Sequence, residues 1–343
     1  MRRIIVIALA LALLVGATPL PAMAWCNGPA KNGHTGDGYG SHDWILDHAI
    51  TKAGSGGAWV QRSVALLASD DPDTQKWGAR FDHYLENGSC RGAAQSVADL
   101  YHKAVVAYRA GDMKAASRYL GQLSHCYSDI LEPFHTTKAA SGLLALHRQY
   151  EFAVDDHQNT RTKVASWFVP RAGAPVADVR VATIEAAAFA RSLFPSLLTS
   201  YKASRSVTKG TPLKVTKLVM SRAVNDLADI VAAIPSGSGE AAMPAEIDMR
   251  VTRTNPRPNE HIGAYLYCAD ADGNPIEGVG VTFVWHVASG KTTWSTYTEA
   301  NGNADRYQDI GDADYGQVLS VDAHVTVNGQ TVTRTCEFTA TRH

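Results

Sequence analysis

Between His125 and Glu151, five side chains that bind metals follow one another as H-x3-D, H and H-x3-E: His125, Asp129, His135, His147 and Glu151. A step of four residues is just over one helical turn. His125 and Asp129 therefore project from one face of a helix, and so do His147 and Glu151. Two such pairs on neighbouring helices can enclose cations with imidazole and carboxylate, a donor mix that suits zinc. A single His-x3-acid pair is ordinary on a solvated helix face; two of them flanking a third histidine point to a metal centre. The remaining histidines agree: nine of the 13 fall between His34 and His157, and none between residues 158 and 260. His34, His48, His102 and His157 stand outside this pattern and read as surface or structural residues.

Helices must position these groups, and residues 42–235 read as helical throughout. Asp112 is placed to cap a helix whose core stripe is Met113, Ala116, Leu120, Leu123, Tyr127 and Ile130, ending near Pro133. Later stripes run through Val179, Val181, Ile184, Ala187 and Ala188, and through Leu213, Lys217, Met220, Val224, Leu227 and Val231. Ser41 is a plausible cap for a helix carrying His42, with Ile45, Ala49 and Ile50 on its buried side. No Gly-rich phosphate loop, nucleophile elbow or heptad repeat stands out. A bundle of about 210 residues is ample for one core.

The chain opens on Arg2 and Arg3, an apolar run from Ile4 to Val15, and Ala22-Met23-Ala24. This is the pattern of a secretory signal peptide over residues 1–24, with an apolar run too short to span a bilayer. No later segment reads as a membrane span, so a secreted protein, extracellular or periplasmic, is predicted. Cleavage after Ala24 would leave Trp25 with a free α-amine beside its own carbonyl, a pair able to chelate a metal. Export also predicts oxidised cysteines. Cys268 is expected to pair with Cys336 and Cys26 with Cys90, leaving Cys126 buried and free.

Pro235-Ser236-Gly237-Ser238-Gly239-Glu240 opens a linker over 235–246. From Ile247 the pattern becomes period two, with turns at Asp272-Gly273-Asn274-Pro275, Asn301-Gly302 and Asn328-Gly329 and a central strand over Val279–Trp285. About seven short strands in this span predict a β-sandwich over 247–343. Its D-x-D-G-N-P-I-x-G-V-x-V-T-F run resembles bacterial Ig-like repeats of the invasin type. Trp294, Tyr297 and Tyr307 are candidate contact aromatics, with cross-strand packing the commoner use of such residues.

The order Trp25, then Ser41-His42-Asp43-Trp44-Ile45, then His125 to His135 and His147 to Glu151, resembles the secreted zinc-dependent phospholipases C of bacteria. The resemblance covers roughly residues 25–235. It implies a multi-domain chain, an all-α catalytic bundle over 25–234 followed by the all-β Ig-like sandwich. It also implies an Asp and a His between the first helices. His83 fits the latter, while Asp70 is preferred for the former with Asp71 as the alternate. Three zinc ions are then expected: one on Trp25, His42 and Asp129, a second on Asp70, His83, His125 and the bridging Asp129, and a third on His135, His147 and Glu151. A metal-bound hydroxide would cleave phospholipid to diacylglycerol and a phosphorylated headgroup, with Asp70 a candidate proton acceptor. The implied protein is a monomeric hydrolase working at a membrane surface without being integral to it.

Two other readings stay open at this stage. One is a zinc nuclease of the P1/S1 type, which shares the bundle and the metal design but usually places its second ligand close behind the N-terminal Trp and ends on H-x3-D. Here His42 lies 17 residues beyond Trp25 and the series ends on Glu151. The other is a non-catalytic surface-binding protein built on the same scaffold. A balance of 32 basic and 33 acidic residues supplies no long-range attraction for nucleic acid, which is not expected as a partner in the leading reading.

Overall fold

Asp112 does start the helix that carries the first ligand pair: its carboxylate accepts from the Ala115 amide at 2.9 Å. The computed structural model describes Trp25 and residues 39–74, 91–137, 142–158 and 167–342. The predicted signal peptide, His34, His83, Cys26 and Cys90 lie outside the described residues. Among those described, the helices are α1 (Ser41–Ala53), α2 (Arg62–Ser69), α3 (Asp71–Thr74), α4 (Arg91–Arg109), α5 (Met113–Asp129), α6 (Leu144–Gln158), α7 (Val179–Ser204) and α8 (Gly210–Ala233). Two 3-10 turns, Gly54–Gly57 and Pro133–Thr136, join them. Helix α5 packs on α2 and α4, and α8 packs on α1 and α7.

Gly121 shows how closely α5 and α2 approach. A Cβ there would lie 2.1 Å from the Ala65 carbonyl oxygen and 2.8 Å from the Ala68 Cβ. Only glycine allows this contact, and it brings the end of α2 against the ligand-bearing turn of α5. The first helix begins differently from the expectation. Gly40 is its cap and Ser41 its first residue, with the Asp43 carboxylate accepting from the Gly40 amide at 3.0 Å.

Not all of 42–235 is helical. Residues 169–176 are neither helix nor strand, as Pro170, Gly173 and Pro175 favour. The Val169 and Arg171 amides are held by Ser221 and Asn225 of α8. Along α7 the buried face is Val179, Thr183, Ala186, Ala187, Ala190, Phe194, Leu197 and Tyr201, whereas Val181 and Ala188 are exposed. Packing against α4 and α8 selects this face. By length and composition α7 is also apolar enough to cross a membrane, against the expectation that no later segment is.

The C-terminal region is antiparallel: β1 (Glu246–Val251), β2 (His261–Ala269), β3 (Gly280–Val287), β4 (Gly290–Tyr297), β5 (Asn303–Asp309), β6 (Val318–Val327) and β7 (Gln330–Thr339). They form a three-stranded sheet β1-β2-β5 and a four-stranded sheet β4-β3-β6-β7. Strand β3 is central, as its apolar run predicts. Asn328 and Gly329 make the two-residue turn between β6 and β7, both with positive φ (50° and 71°), as a right-twisted hairpin prefers. Trp294 and Tyr307 are exposed and each makes its own contact: the Trp294 indole of β4 donates to Gln308 of β5, and Tyr307 meets Tyr265 of β2 edge-on.

Cys268 and Cys336 are not bonded, contrary to the expected disulfide. Cys268 faces Ile247 across β1–β2, while the Cys336 sulfur contacts the Met249 carbonyl from the other sheet. Two residues of strand, about 7 Å, separate those levels, beyond what a disulfide spans. Cys126 is buried and free, as expected.

The helices, the linker and the sheets share contacts. Gln95 on α4 accepts from the Gly280 amide, Asn328 donates to Ala241, and His102 bonds Glu240 at 2.8 Å.

Candidate metal centre

Two clusters of ligand types, buried except for the half-buried Asp73, form around the end of α5. The first joins α1, α3 and α5. His42 Nε2 lies 3.4 Å from one oxygen of Asp129, and His125 Nε2 lies 3.4 Å from the other. The two imidazoles stack with centroids 4.0 Å apart. Asp73 Oδ1 is 3.6 Å from His125 Nε2, and donor atoms of His42, Asp73 and His125 fall within 4.8 Å of one another.

Hydrogen bonds behind the rings set their tautomers. His125 Nδ1 is 2.7 Å from the Ser69 carbonyl, which only accepts, so Nδ1 carries the proton. The Ser128 hydroxyl donates to the His125 carbonyl and therefore accepts from His42 Nδ1 at 2.7 Å. In both neutral rings the lone pair then sits on Nε2, facing the Asp129 carboxylate. Lone pair against anion is repulsive unless a cation or a proton lies between them. Anchored imidazoles of this kind are the usual support of a metal site. Without metal a proton serves: burial lowers the His125 pKa, but Asp129 and Asp73 together raise it to about 9.

The second cluster is Glu132, His135, His147 and Glu151, all fully buried and mutually within 4.8 Å. Glu151 Oε1 lies 2.7 Å from His147 Nε2 and 3.4 Å from His135 Nε2. Glu132 Oε2 lies 3.4 Å from His147 Nε2 and 4.0 Å from His135 Nε2. Metal bonds of about 2.0–2.2 Å at tetrahedral angles place donors about 3.4 Å apart, so these spacings bracket a coordination shell. Burial raises the carboxyl pKa of both Glu151 and Glu132 against the pull of His147, whose own pKa is lifted by the two glutamates to about 10 in spite of burial. Imidazole and carboxylate at these spacings fit zinc in both clusters.

The predicted residues divide as follows. His42, His125 and Asp129 come together, and so do His135, His147 and Glu151. Trp25 is buried with its indole donating to the Ser128 carbonyl at 2.9 Å, next to Asp129 in sequence. Asp71 instead faces Arg118 at 3.2 Å and Gln122 at 2.7 Å. Asp70 is buried, and desolvation with the nearby Asp43 pushes its carboxyl to about 8. Asp73 holds the place beside His125. His48 and His157 bond backbone carbonyls one turn back in their own helices.

Sequence reasoning missed Asp73 and Glu132. For Glu132 a signal was present: it lies three residues after Asp129 and three before His135, ahead of Pro133 at the start of a 3-10 turn.

No curated protein matches the chain. Among solved structures, the alpha toxin of Clostridium absonum is 12% identical, with 91% of this chain and 98% of that chain covered and a TM-score of 0.47. The alpha-toxin of an avian strain of Clostridium perfringens is also 12% identical, with coverages of 89% and 98% and a TM-score of 0.48. The family model "Zinc dependent phospholipase C" matches residues 41–176. The segment similar to that family is thus the one that holds every member of both clusters.

Proposed function

We propose that this chain is a secreted zinc-dependent phosphodiesterase that hydrolyses phospholipid to diacylglycerol and a phosphorylated headgroup. The observation that carries the reading is the pair of buried imidazole–carboxylate clusters inside the segment matched by the phospholipase C family. Trp25 and His42 with Asp129 would hold one ion. His83, His125 and Asp129 would hold another, with Asp73 rather than Asp70 or Asp71 as the added carboxylate. His135, His147 and Glu151 would hold the third. Ions bound at the first two positions would lower the pKa of a coordinated water towards neutrality and offset charge on a phosphoryl group.

The residues around them have separate tasks. Ser69 and Ser128 hold the His125 and His42 rings with Nε2 turned inward. Asp129, with one oxygen toward each ring, suits a bridge between two ions. We read the strand order β1-β2-β5 over β4-β3-β6-β7 as an Ig-like sandwich following a catalytic domain of residues 25–234, in a monomeric protein exported by residues 1–24.

The test is release of phosphorylated headgroup from mixed phospholipid liposomes by the mature protein, with zinc and with a strong chelator. Chelator-sensitive release is expected. No release by a protein carrying its full metal complement would overturn the phospholipase reading and make single-stranded nucleic acid the next substrate to try.

A further inference from the structure

Glu132 is excessive for the work its position requires. It caps the 3-10 turn Pro133–Thr136 through one oxygen, Oε2, which accepts from the His135 amide at 3.0 Å. Ser, Thr, Asp and Asn do this with shorter side chains and are the preferred caps. A glutamate here is wholly buried, and its Oε1 makes no hydrogen bond. Leaving a carboxylate oxygen unsatisfied away from water is costly. What distinguishes glutamate is reach: Oε2 also comes within 3.4 Å of His147 Nε2 and 4.0 Å of His135 Nε2.

Resting on the reading of His135, His147 and Glu151 as a metal site, we infer that Glu132 is a fourth protein ligand there and closes its coordination. Four donors then surround the position. Opposite the Glu132 edges of 3.4 and 4.0 Å stand the Glu151 edges of 2.7 and 3.4 Å. Two glutamates and two neutral imidazoles sum to −2, which a divalent ion cancels. A site with four protein ligands has no position left for water or substrate, the arrangement of structural zinc. The cluster at His42, Asp73, His125 and Asp129 reaches the surface through Asp73, whose side chain is 22% exposed. Substrate phosphate and the attacking water then belong to that cluster, and the Glu132 site holds its ion as a fixed charge and a clamp between α5 and α6.

The experiment uses the mature full chain loaded with zinc. Metal retained per chain is followed over time against excess chelator, and thermal melts are recorded with and without zinc. In the wild type one ion should leave far more slowly than the rest. Glu132→Gln should release that ion roughly 10–100-fold faster, the scale seen when groups supporting a metal site are removed. Glu132→Asn, which keeps a capping side chain but lacks the reach, should do the same. Without metal, Glu132→Gln should melt no lower than wild type, because a buried charge is gone, while its gain in Tm on adding zinc shrinks. If both variants keep the slow ion and the full Tm gain, Glu132 is a helix cap only and the inference fails. If His147→Ala and Glu151→Gln also keep every ion, the reading of this cluster as a metal site fails instead.

Discussion

The two clusters are made of the same residue types but assembled in opposite ways. Glu132, His135, His147 and Glu151 come from 20 consecutive residues, a turn and the helix after it, and all are sealed from solvent. His42, Asp73, His125 and Asp129 are drawn from three helices up to 87 residues apart, and one of them reaches the surface. The local cluster needs only α6 to return beside the end of α5. The distributed one exists only if α1, α3 and α5 dock correctly, so its geometry reports on the packing of the whole bundle. Chemistry that must admit a substrate belongs where the site is open, and retention belongs where it is closed.

The largest effects should come from breaking the open cluster. His125→Ala and Asp129→Ala are expected to lower headgroup release by about three orders of magnitude or more, the scale of losing a principal charge stabiliser. Metal analysis on the same samples should show ions missing. Full turnover in a metal-replete Asp129→Ala protein would remove this cluster from the chemistry. Adding one residue ahead of Trp25 is the next test: most activity and one ion should be lost, and an extended form with full activity would show that the Trp25 amine is no ligand.

The contrast sharpens further at the three aspartates. Asp73→Asn should reduce metal content and activity strongly. Asp71→Asn weakens a partly exposed pair with Arg118, worth at most about 1 kcal/mol of stability, and a hydrogen bond from Gln122, and should stay active. The reverse result would return the ligand to Asp71. Gly121→Ala acts at a distance: overpacking against Ala65 should cost about 1–3 kcal/mol. It should also weaken metal binding by moving the Ser69 carbonyl away from His125, as melting and metal titration would show.

Without metal both clusters predict an unusual pH response. Burial raises Asp43 from 3.8 to about 6 and Asp70 to about 8. His125 and His147 are raised from 6.5 to about 9 and about 10 by the carboxylates facing them, against the effect of burial. Each group binds its proton more tightly folded than unfolded, so stability is full below the unfolded pKa and falls as pH rises. The carboxyl contribution should fade between about pH 4 and 8 and the histidine contribution between about 6.5 and 10. Melts of chelator-treated protein should decline steadily from pH 5 to 9, and zinc should flatten the curve while releasing protons. A metal-free protein that is most stable at pH 9 would contradict the buried geometry.

What the sequence shows of this site is what one helix can encode. His125 with Asp129, and His147 with Glu151, are legible because four residues along a helix is a local rule. Asp73 is not, because three acids in four positions (70, 71 and 73) are sorted only by how the chain turns at Pro72 and docks on α5. Glu132 escaped a reading tuned to four-residue steps, since the 3-10 turn after Pro133 works in threes. The Asn328-Gly329 turn was legible from its backbone requirement. The exposed Val181 and the unpaired Cys268 and Cys336 were not, because both depend on which distant surface arrives.

Helix α5 ends at Asp129 itself, which places a carboxylate at the terminus where a helix is already electronegative. The aligned peptide dipoles concentrate about half a negative charge there, and an anion at that end is unfavourable. A cation reverses the sign of the problem. The helix would then act through its whole length as a diffuse additional ligand, and the last turn of α5 should exchange its amide hydrogens far more slowly once the metal is bound.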